Sequence, residues 1–163
     1  QANTAWTGVE LLFAAQLFYE GWHTEAGELI GKVDARHRKW GIYFDHQEFG
    51  GHYFRALSAL AIPNAVVGIR YDGETLRIEP RDRNGNDAAE TFPPDGRWCF
   101  LLPGSYGTLF RQNGVVLLRL QSGDPPLRKV EIASAADADL EGFPGEWARE
   151  SHDNGIHFTR KSE

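Results

Sequence analysis

The stretch from Tyr106 to Gln121 reads Tyr106-Gly107-Thr108-Leu109-Phe110-Arg111-Gln112-Asn113-Gly114-Val115-Val116-Leu117-Leu118-Arg119-Leu120-Gln121. Its two halves are rich in the β-branched, aromatic and aliphatic residues that favour strands. Between them stands Asn113-Gly114, the dipeptide typical of a type I′ turn in a two-residue hairpin. The sequence therefore predicts an antiparallel hairpin here and assigns the second half of the chain to β structure.

Further strands are predicted on both sides of this hairpin, because apolar runs recur between turn signals. The single cysteine, Cys99, lies in an apolar run, so we expect a buried thiol and exclude a disulfide framework. The small, acidic segment Ser134–Gly145 is predicted to be a loop. The predicted strands are Thr75–Glu79, Trp98–Leu102 and Leu127–Ile132, with a last hairpin between Trp147–Ser151 and Ile156–Thr159.

The first third of the chain has helical rather than strand periodicity. Thr7-Gly8-Val9-Glu10 has the spacing of a capping box. The broad apolar stripe that follows predicts a mostly buried helix ending near Gly21. Thr24 is placed to cap a second, antiparallel helix. A third helix is predicted from near His52 toward Val67, with Pro63 kinking or splitting it.

Composition limits the classes of function. The 163 residues are enough for about one domain with a buried core. The hydrophobic fraction of 41% and the charged fraction of 25% are typical of a globular protein. A net charge of −6 argues against nucleic acid or an anionic membrane surface as a partner. Every apolar run is shorter than the roughly 20 residues of a membrane-spanning helix, so no membrane span is expected.

A second stretch concentrates polar chemistry. It reads Asp45-His46-Gln47-Glu48-Phe49-Gly50-Gly51-His52-Tyr53-Phe54-Arg55 and leads into the apolar run Ala56–Ile62. Acids, histidines, a tyrosine and an arginine surround a Gly-Gly break. A buried helix does not need these groups, so a polar site is predicted here. The common nucleotide-binding, hydrolase-elbow and HExxH zinc signatures do not occur in the sequence.

An ordered set of segments adds to this interpretation. The segments are Trp6-Thr7-Gly8-Val9-Glu10, Glu48-x-Gly50-x-His52-Tyr53-x-Arg55-Ala56-Leu57, Gly68-Ile69-Arg70-Tyr71-Asp72-Gly73, Ile78-Glu79-Pro80 and Gly104–Gln112. The set resembles the C-terminal part of glycoside hydrolase family 116, which includes the non-lysosomal glucosylceramidases and related bacterial and archaeal β-glucosidases. The similarity covers about residues 5–120.

The resemblance implies an architecture and a role. Residues 1–70 would be the terminal helices of an (α/α)6 toroid, and residues 71–163 a β-rich part built from antiparallel hairpins, which gives an α+β chain. The family retains anomeric configuration by means of two carboxylates, and both would lie upstream of the matched region. We therefore expect the C-terminal portion, or a small subunit, of a retaining β-glycosidase. The expected partners are a larger upstream chain and a glycoside substrate, and no cofactor is expected.

The start of the sequence favours the same interpretation. The chain begins with Gln1 and contains no methionine. A translation product begins with Met, so we expect a polypeptide cut from a longer one, or a piece of it.

The resemblance also implies sugar-binding residues. The arginine with which the family contacts glucose corresponds to Arg55, and the second glutamate of the family motif is kept as Glu48. The first glutamate, a glucose contact, is replaced by His46, which changes the expected sugar preference. His52, at the predicted helix start, is a further candidate. The catalytic residues are expected on the upstream part.

Other interpretations of this stretch remain open. Glu48 and Arg55 could form a structural ion pair that only fixes the loop. Two histidines and an acid could bind a metal ion, although their spacing is irregular. Tyr53 and His52 could act as the base and acid of a polysaccharide lyase. The aromatic residues Trp22, Trp40, Tyr43 and Phe44 could form a platform for a sugar, or belong to the core.

The chain could also be a non-catalytic carbohydrate-binding or assembly module. Half of a helical toroid on its own would expose the inner stripes of its helices, and monomers rarely leave such patches bare. Exposure of these stripes therefore separates the two hypotheses. The residues concerned are Leu11, Leu12, Ala15, Leu57 and Leu60.

Overall fold

The computed structural model describes residues 6–40, 56–86 and 93–162. Over these ranges helices precede strands, so the predicted α+β class is confirmed. The helices are α1 (Thr7–Tyr19), α2 (His23–Trp40), a 3₁₀ helix (Ala56–Leu60) and α3 (Ala61–Val66). The strands are β1 (Ile69–Tyr71), β2 (Thr75–Ile78), β3 (Gly96–Leu102), β4 (Ser105–Gln112), β5 (Val115–Ser122), β6 (Lys129–Ala133), β7 (Asp137–Glu141), β8 (Trp147–His152) and β9 (Gly155–Arg160). None of the helices in this part of the chain has the length and apolar character needed to cross a lipid bilayer.

α1 ends in a sharp corner at Gly21, as predicted. Gly21 has a φ of +78°, in the left-handed region that glycine adopts without steric cost. The amide of Gly21 donates to the carbonyl of Phe18 at 3.1 Å, and the amide of Trp22 donates to the carbonyl of Leu17 at 2.8 Å. These two bonds form a Schellman termination, which turns the chain directly into α2.

The capping box predicted at the start of α1 is wrong. The N-cap position is Trp6, and no side chain makes a cap hydrogen bond there. The amides of Val9 and Glu10 instead donate to the carbonyl of Trp6 at 2.9 and 3.0 Å. The Glu10 carboxylate pairs with Arg36 near the far end of α2, so it is used to hold the two helices antiparallel.

The helices share a small apolar core. Pro63 lies in the first turn of α3, where its missing N–H is tolerated. The 3₁₀ helix ends directly before α3, so the predicted split of the helix around Pro63 is confirmed. The predicted start near His52 lies outside the described residues.

The buried members of the core that the helices share are Ala15, Phe18, Ala26, Ala65 and Val66.

The strands form two mixed sheets that enclose the main core. The five-stranded sheet has the order β1-β2-β6-β9-β8, and the four-stranded sheet has the order β3-β4-β5-β7. The predicted antiparallel hairpins account for only part of this topology, because β2–β6 and β5–β7 are parallel pairs. Side chains from both sheets meet in one apolar cluster, as in a sandwich. Its largest fully buried members are Phe100, Leu76, Leu109, Leu118, Leu127, Ile132, Val67 and Val130.

Both predicted hairpins of the second half are confirmed. β4 and β5 pair antiparallel, with Leu109 opposite Leu118. Asn113 and Gly114 both have positive φ, at 53° and 79°, as a type I′ turn requires. β8 and β9 form the last hairpin.

Two other predictions for this half are wrong. The segment Ser134–Gly145 is not all loop, because β7 lies within it and pairs with β5. Its acidic residues suit an edge strand that is open to water on one side. Cys99 is exposed rather than buried. Strand alternation turns Phe100 and Leu102 inward, so Cys99 lies on the opposite face of β3.

Two side chains, Asn64 and Tyr19, make hydrogen bonds between the helical and β parts. The amide nitrogen of Asn64, on α3, donates to the carbonyl of Leu101 at 2.7 Å, and its oxygen accepts from the amide of Leu101 at 2.8 Å. Because β3 is an edge strand, Asn64 satisfies backbone groups on the side away from β4. The Tyr19 hydroxyl, at the end of α1, donates to the carbonyl of Ile69 at 2.8 Å. The corner of the helices is thereby held over β1.

Leu118 tests the core between the sheets. Leu118→Ala should lower the free energy of unfolding by about 3 kcal/mol, because it leaves a cavity in a closed apolar interior. Leu117→Ala, on the same strand but only partly buried, should cost about 1 kcal/mol. Urea denaturation of both variants measures the difference. Equal losses would contradict the burial of Leu118 between the two sheets.

Candidate functional site

A cleft lies where the corner between α1 and α2 meets β1 and the segment that follows β2. Its volume is about 590 Å³, within the range usual for small-molecule sites. Its lining is mostly polar and comes from three separate parts of the chain. The lining residues are Tyr19, Glu20, Trp22, Arg70, Glu79, Arg81, Arg83, Asn84 and Gly85.

A close backbone approach lies next to the lining residues of the cleft. A Cβ atom at Gly21 would lie 2.1 Å from the carbonyl carbon and oxygen of Asp82. Only glycine therefore allows the helix corner to contact the turn that contains Asp82. The Asp82 carboxylate accepts from the amides of Asn84 (2.8 Å) and Asn86 (2.9 Å) and from the Asn86 side chain (3.1 Å). The hydrogen bonds from Asn86 are the main cause that lowers the pKa of Asp82. The turn is thus organised by its own aspartate.

Tyr19 forms one wall. Its hydroxyl is used in the bond to Ile69, and the Arg70 guanidinium lies 5.4 Å from its ring centroid. Burial raises the pKa of Tyr19 above its ordinary value, although the charge of Arg70 acts in the opposite direction. The phenol therefore stays neutral at physiological pH and serves as an aromatic support for a cation.

Trp22 also lines the cleft. Its side chain is 41% exposed, so the expectation that it belongs to the core is wrong. The Arg83 guanidinium stacks over its ring at 4.0 Å from the centroid and also pairs with Glu25 on α2. Trp22 thus offers a partly exposed aromatic surface whose position is fixed by a cation–π contact.

Glu79 lies between two guanidinium groups. One carboxylate oxygen of Glu79 is 3.7 Å from Arg70 and 3.8 Å from Arg81. Both distances are longer than a hydrogen bond, so the contacts are electrostatic. Arg81 also donates weakly to the carbonyl of Gly85, at 3.4 Å. The shared carboxylate therefore holds both cations near the cleft without using their donors in tight bonds.

His23, the first residue of α2, lies behind the cleft. Its ring stacks on Phe18 with centroids 6.2 Å apart. Burial lowers the pKa of His23 below its ordinary value, while backbone contacts with Arg81 and Phe18 and the charge of Asp82 act in the opposite direction. His23 therefore couples the helix corner to the turn after β2 and resists protonation there.

The structure does not test the residues predicted as the sugar site. His46, Glu48, His52 and Arg55 all lie outside the described residues. The same holds for the remaining polar and aromatic candidates of that stretch, so its metal and lyase alternatives stay predictions. Within the ranges that the structure does describe, no group of three or more His, Cys, Asp or Glu side chains could hold a metal ion.

α1 presents a second feature, an apolar face turned to solvent. Val9, Leu12 and Phe13 are 49%, 53% and 57% exposed. Leu60, on the 3₁₀ helix that contacts α1, is also exposed. Of the residues expected to be bare in an incomplete toroid, Leu12 and Leu60 are exposed, whereas Ala15 is buried against the other helices.

Comparison with known proteins adds no information to this geometry. No protein-family description, no curated protein and no solved structure matches the chain. A function must therefore be argued from the side chains. The cleft combines donors, acceptors and an aromatic surface, but its described lining contains no Ser, Cys or His that could act as a nucleophile–base pair. Its donors, acceptors and aromatic surface can hold a polar ligand.

The corner at Gly21 can be tested by comparison with a second glycine. Gly21→Ala should lower the free energy of unfolding by about 2 kcal/mol or more, because the left-handed backbone disfavours a Cβ and the Asp82 carbonyl leaves no space. Gly27→Ala, in α2 with no neighbour within 4 Å, should instead stabilise by about 0.5–1 kcal/mol. Guanidinium denaturation distinguishes them. A neutral Gly21→Ala would contradict the close contact.

His23 makes stability depend on pH. An unfolded histidine has a pKa near 6.5, and the folded pKa is lower, so the unfolded chain binds the proton more readily. The free energy of unfolding should therefore be highest above pH 6.5 and fall as the pH decreases toward the folded pKa. His23→Gln should reduce this slope. Part of it should remain, because burial and the charge of His152 also lower the pKa of His157. Urea denaturation between pH 5 and 8 measures the slope, and an unchanged slope in His23→Gln would contradict the assignment.

Proposed function

We propose that this chain is the non-catalytic terminal part of a retaining β-glycosidase whose remaining helices pack on α1. The observation that carries the proposal is the exposed apolar face formed by Val9, Leu12 and Phe13. The opposite side of α1 is already buried against α2 and α3. Exposed apolar patches often mark surfaces that contact another protein, so this face calls for a further polypeptide surface.

The architecture supports a helical partner in particular. α1 and α2 form an antiparallel helix pair, the repeating unit of an (α/α)6 toroid. In such a toroid each pair is flanked by others, and a terminal pair has one flank to share with the preceding helices. If the resemblance to glycoside hydrolase family 116 holds, the larger upstream part would carry the two catalytic carboxylates.

The division of roles follows from this arrangement. The upstream part would supply the nucleophile and the acid/base. This chain would supply ligand-holding groups, with Arg55 and Glu48 against the sugar and His46 and His52 beside them. Arginine suits this task because its planar group donates several hydrogen bonds with fixed geometry. The substrate is a β-glycoside, and the reaction requires no cofactor.

A second candidate is a carbohydrate-binding module that acts without turnover. The observation that favours it is the cleft beside Trp22, in which a partly exposed indole lies among arginine, glutamate and asparagine side chains. An aromatic surface with a few polar groups around it is a usual arrangement for binding a polar ligand. This role is compatible with the first, because the cleft and the apolar face of α1 use different residues.

A substitution at Phe13 tests whether the apolar face of α1 packs on a companion polypeptide. Phe13→Asp should reduce recovery of the companion part at least tenfold after native purification, because it places a charge in an apolar contact. Ala35→Asp, which adds the same charge at an exposed position on α2, should leave recovery unchanged. Intact-mass measurement and light scattering identify the separate companion chain.

The activity of the assembly completes the test. The assembled protein should hydrolyse an aryl β-glucoside, and proton NMR of the first product should show the β-anomer. A chain that remains a stable monomer with wild-type Phe13, and that recovers no companion, would contradict the proposal and leave the module as the better explanation.

A further inference from the structure

We propose that the cleft beside Trp22 binds a saccharide bearing a carboxylate group, such as a uronic acid residue. The proposal rests on the carbohydrate-binding role described above and adds the chemical class of the sugar. It assigns the carboxylate to Arg70 and Arg81, and the sugar ring to the surface around Trp22. The family resemblance suggests neither the place nor the charge of this ligand.

The cleft gathers arginine side chains in a chain that is acidic overall. The protein as a whole carries a net charge of −6, yet three arginines line this cleft against only two carboxylates, those of Glu20 and Glu79. Guanidinium groups gathered at one place offer several donors to an anion. The Glu20 carboxylate accepts from the side chain of Gln16 at 2.7 Å, and the carboxylate that both Arg70 and Arg81 contact is that of Glu79.

Two of the three cations are available to a ligand. Arg83 pairs closely with Glu25, so its charge is neutralised locally. Arg70 and Arg81 share the single carboxylate of Glu79 at 3.7 and 3.8 Å. A guanidinium binds a carboxylate best through two parallel hydrogen bonds, and neither arginine makes such a pair with Glu79. An incoming carboxylate can therefore form tighter bonds than the one already present.

Arg70 in particular is held in place before a ligand arrives. The Arg70 guanidinium lies over Tyr19, whose hydroxyl is tied to the backbone of β1. Arg81 makes one weak hydrogen bond, at 3.4 Å, to the carbonyl of Gly85. Fixing a long side chain in advance reduces the entropy lost on binding. Arg70 is thus the better positioned of the two arginines for an incoming carboxylate.

Other features favour a sugar over a simple anion. The volume of about 590 Å³ is far larger than an acetate or phosphate ion requires. Trp22 offers an aromatic surface, and Asn84 offers an amide that can donate to and accept from hydroxyl groups. A sugar ring with one carboxylate would use the aromatic surface, the amide and the arginine pair together.

Calorimetric titration of the full chain tests the proposal with three probes. The probes are an α-1,4-linked trigalacturonate, the matched neutral trigalactoside and sodium acetate. Trigalacturonate should bind, with an affinity at least tenfold above that of the neutral trisaccharide and of acetate. Binding should weaken as salt rises, because part of the attraction is between charges.

Variants then locate the site. Arg70→Gln and Arg81→Gln should each weaken trigalacturonate binding at least tenfold and leave the neutral trisaccharide unaffected. Trp22→Ala should weaken both sugars. Arg128→Gln, which removes an exposed arginine paired with Glu74 elsewhere on the surface, should change nothing. Thermal denaturation of each variant checks that the fold is kept.

The outcomes distinguish carbohydrate binding at the cleft from recognition of the carboxylate group. If both trisaccharides bind equally and the arginine variants bind them as tightly as the wild-type chain does, the carboxylate assignment is overturned while carbohydrate binding stands. If acetate binds as tightly as trigalacturonate, the cleft is a general anion site and the inference fails. If no sugar binds, carbohydrate binding at this cleft fails as well. The assembly test on Phe13 is independent of all three results.

Discussion

The side-chain amide of Asn64 holds the two halves of this chain together. It pairs with both backbone groups of Leu101 at 2.7 and 2.8 Å, as a neighbouring strand would do at the open edge of the sheet. An edge that remained unpaired would invite association with other strands. Because the contact uses both the donor and the acceptor of one amide, it fixes the orientation of α3 as well as its distance. The remaining helices are positioned through α3, since α1 packs on it.

The cleft is a consequence of this junction. Its walls come from the helix corner, and its cations come from β1 and the turn after β2, so it exists only while the two halves keep their relative position. The Tyr19–Ile69 bond and the contact of Gly21 with Asp82 add two further restraints at the same place. The cleft is therefore an interface between the two halves, a usual location for ligand sites. The apolar face of α1, by contrast, is formed by residues of a single helix and does not depend on the relative position of the two halves.

Local chemistry could be predicted from the sequence, whereas non-local pairing could not. The Asn113-Gly114 hairpin follows from two adjacent residues that tolerate positive φ, and the corner at Gly21 follows from one. β7 was missed because its partner, β5, is parallel and pairs without a turn signal. The thiol of Cys99 was misplaced because an apolar run of strand residues does not reveal which alternate positions point inward. The cleft was not foreseen because Trp22 and Arg70 are far apart in sequence, and only the fold brings them together. The role of the polar stretch from Asp45 to Arg55 stays a prediction, because the stretch lies outside the described residues.

The exposure of Cys99 gives the protein a chemical handle that needs no engineering. It is the sole thiol of the chain, so a maleimide-linked spin label or fluorophore would attach at one known position in the natural sequence. That position is two residues from Leu101, on the strand that Asn64 holds. A label there would sit beside the connection between the helices and the sheets, and its spectrum would report directly on whether the two halves move as one body.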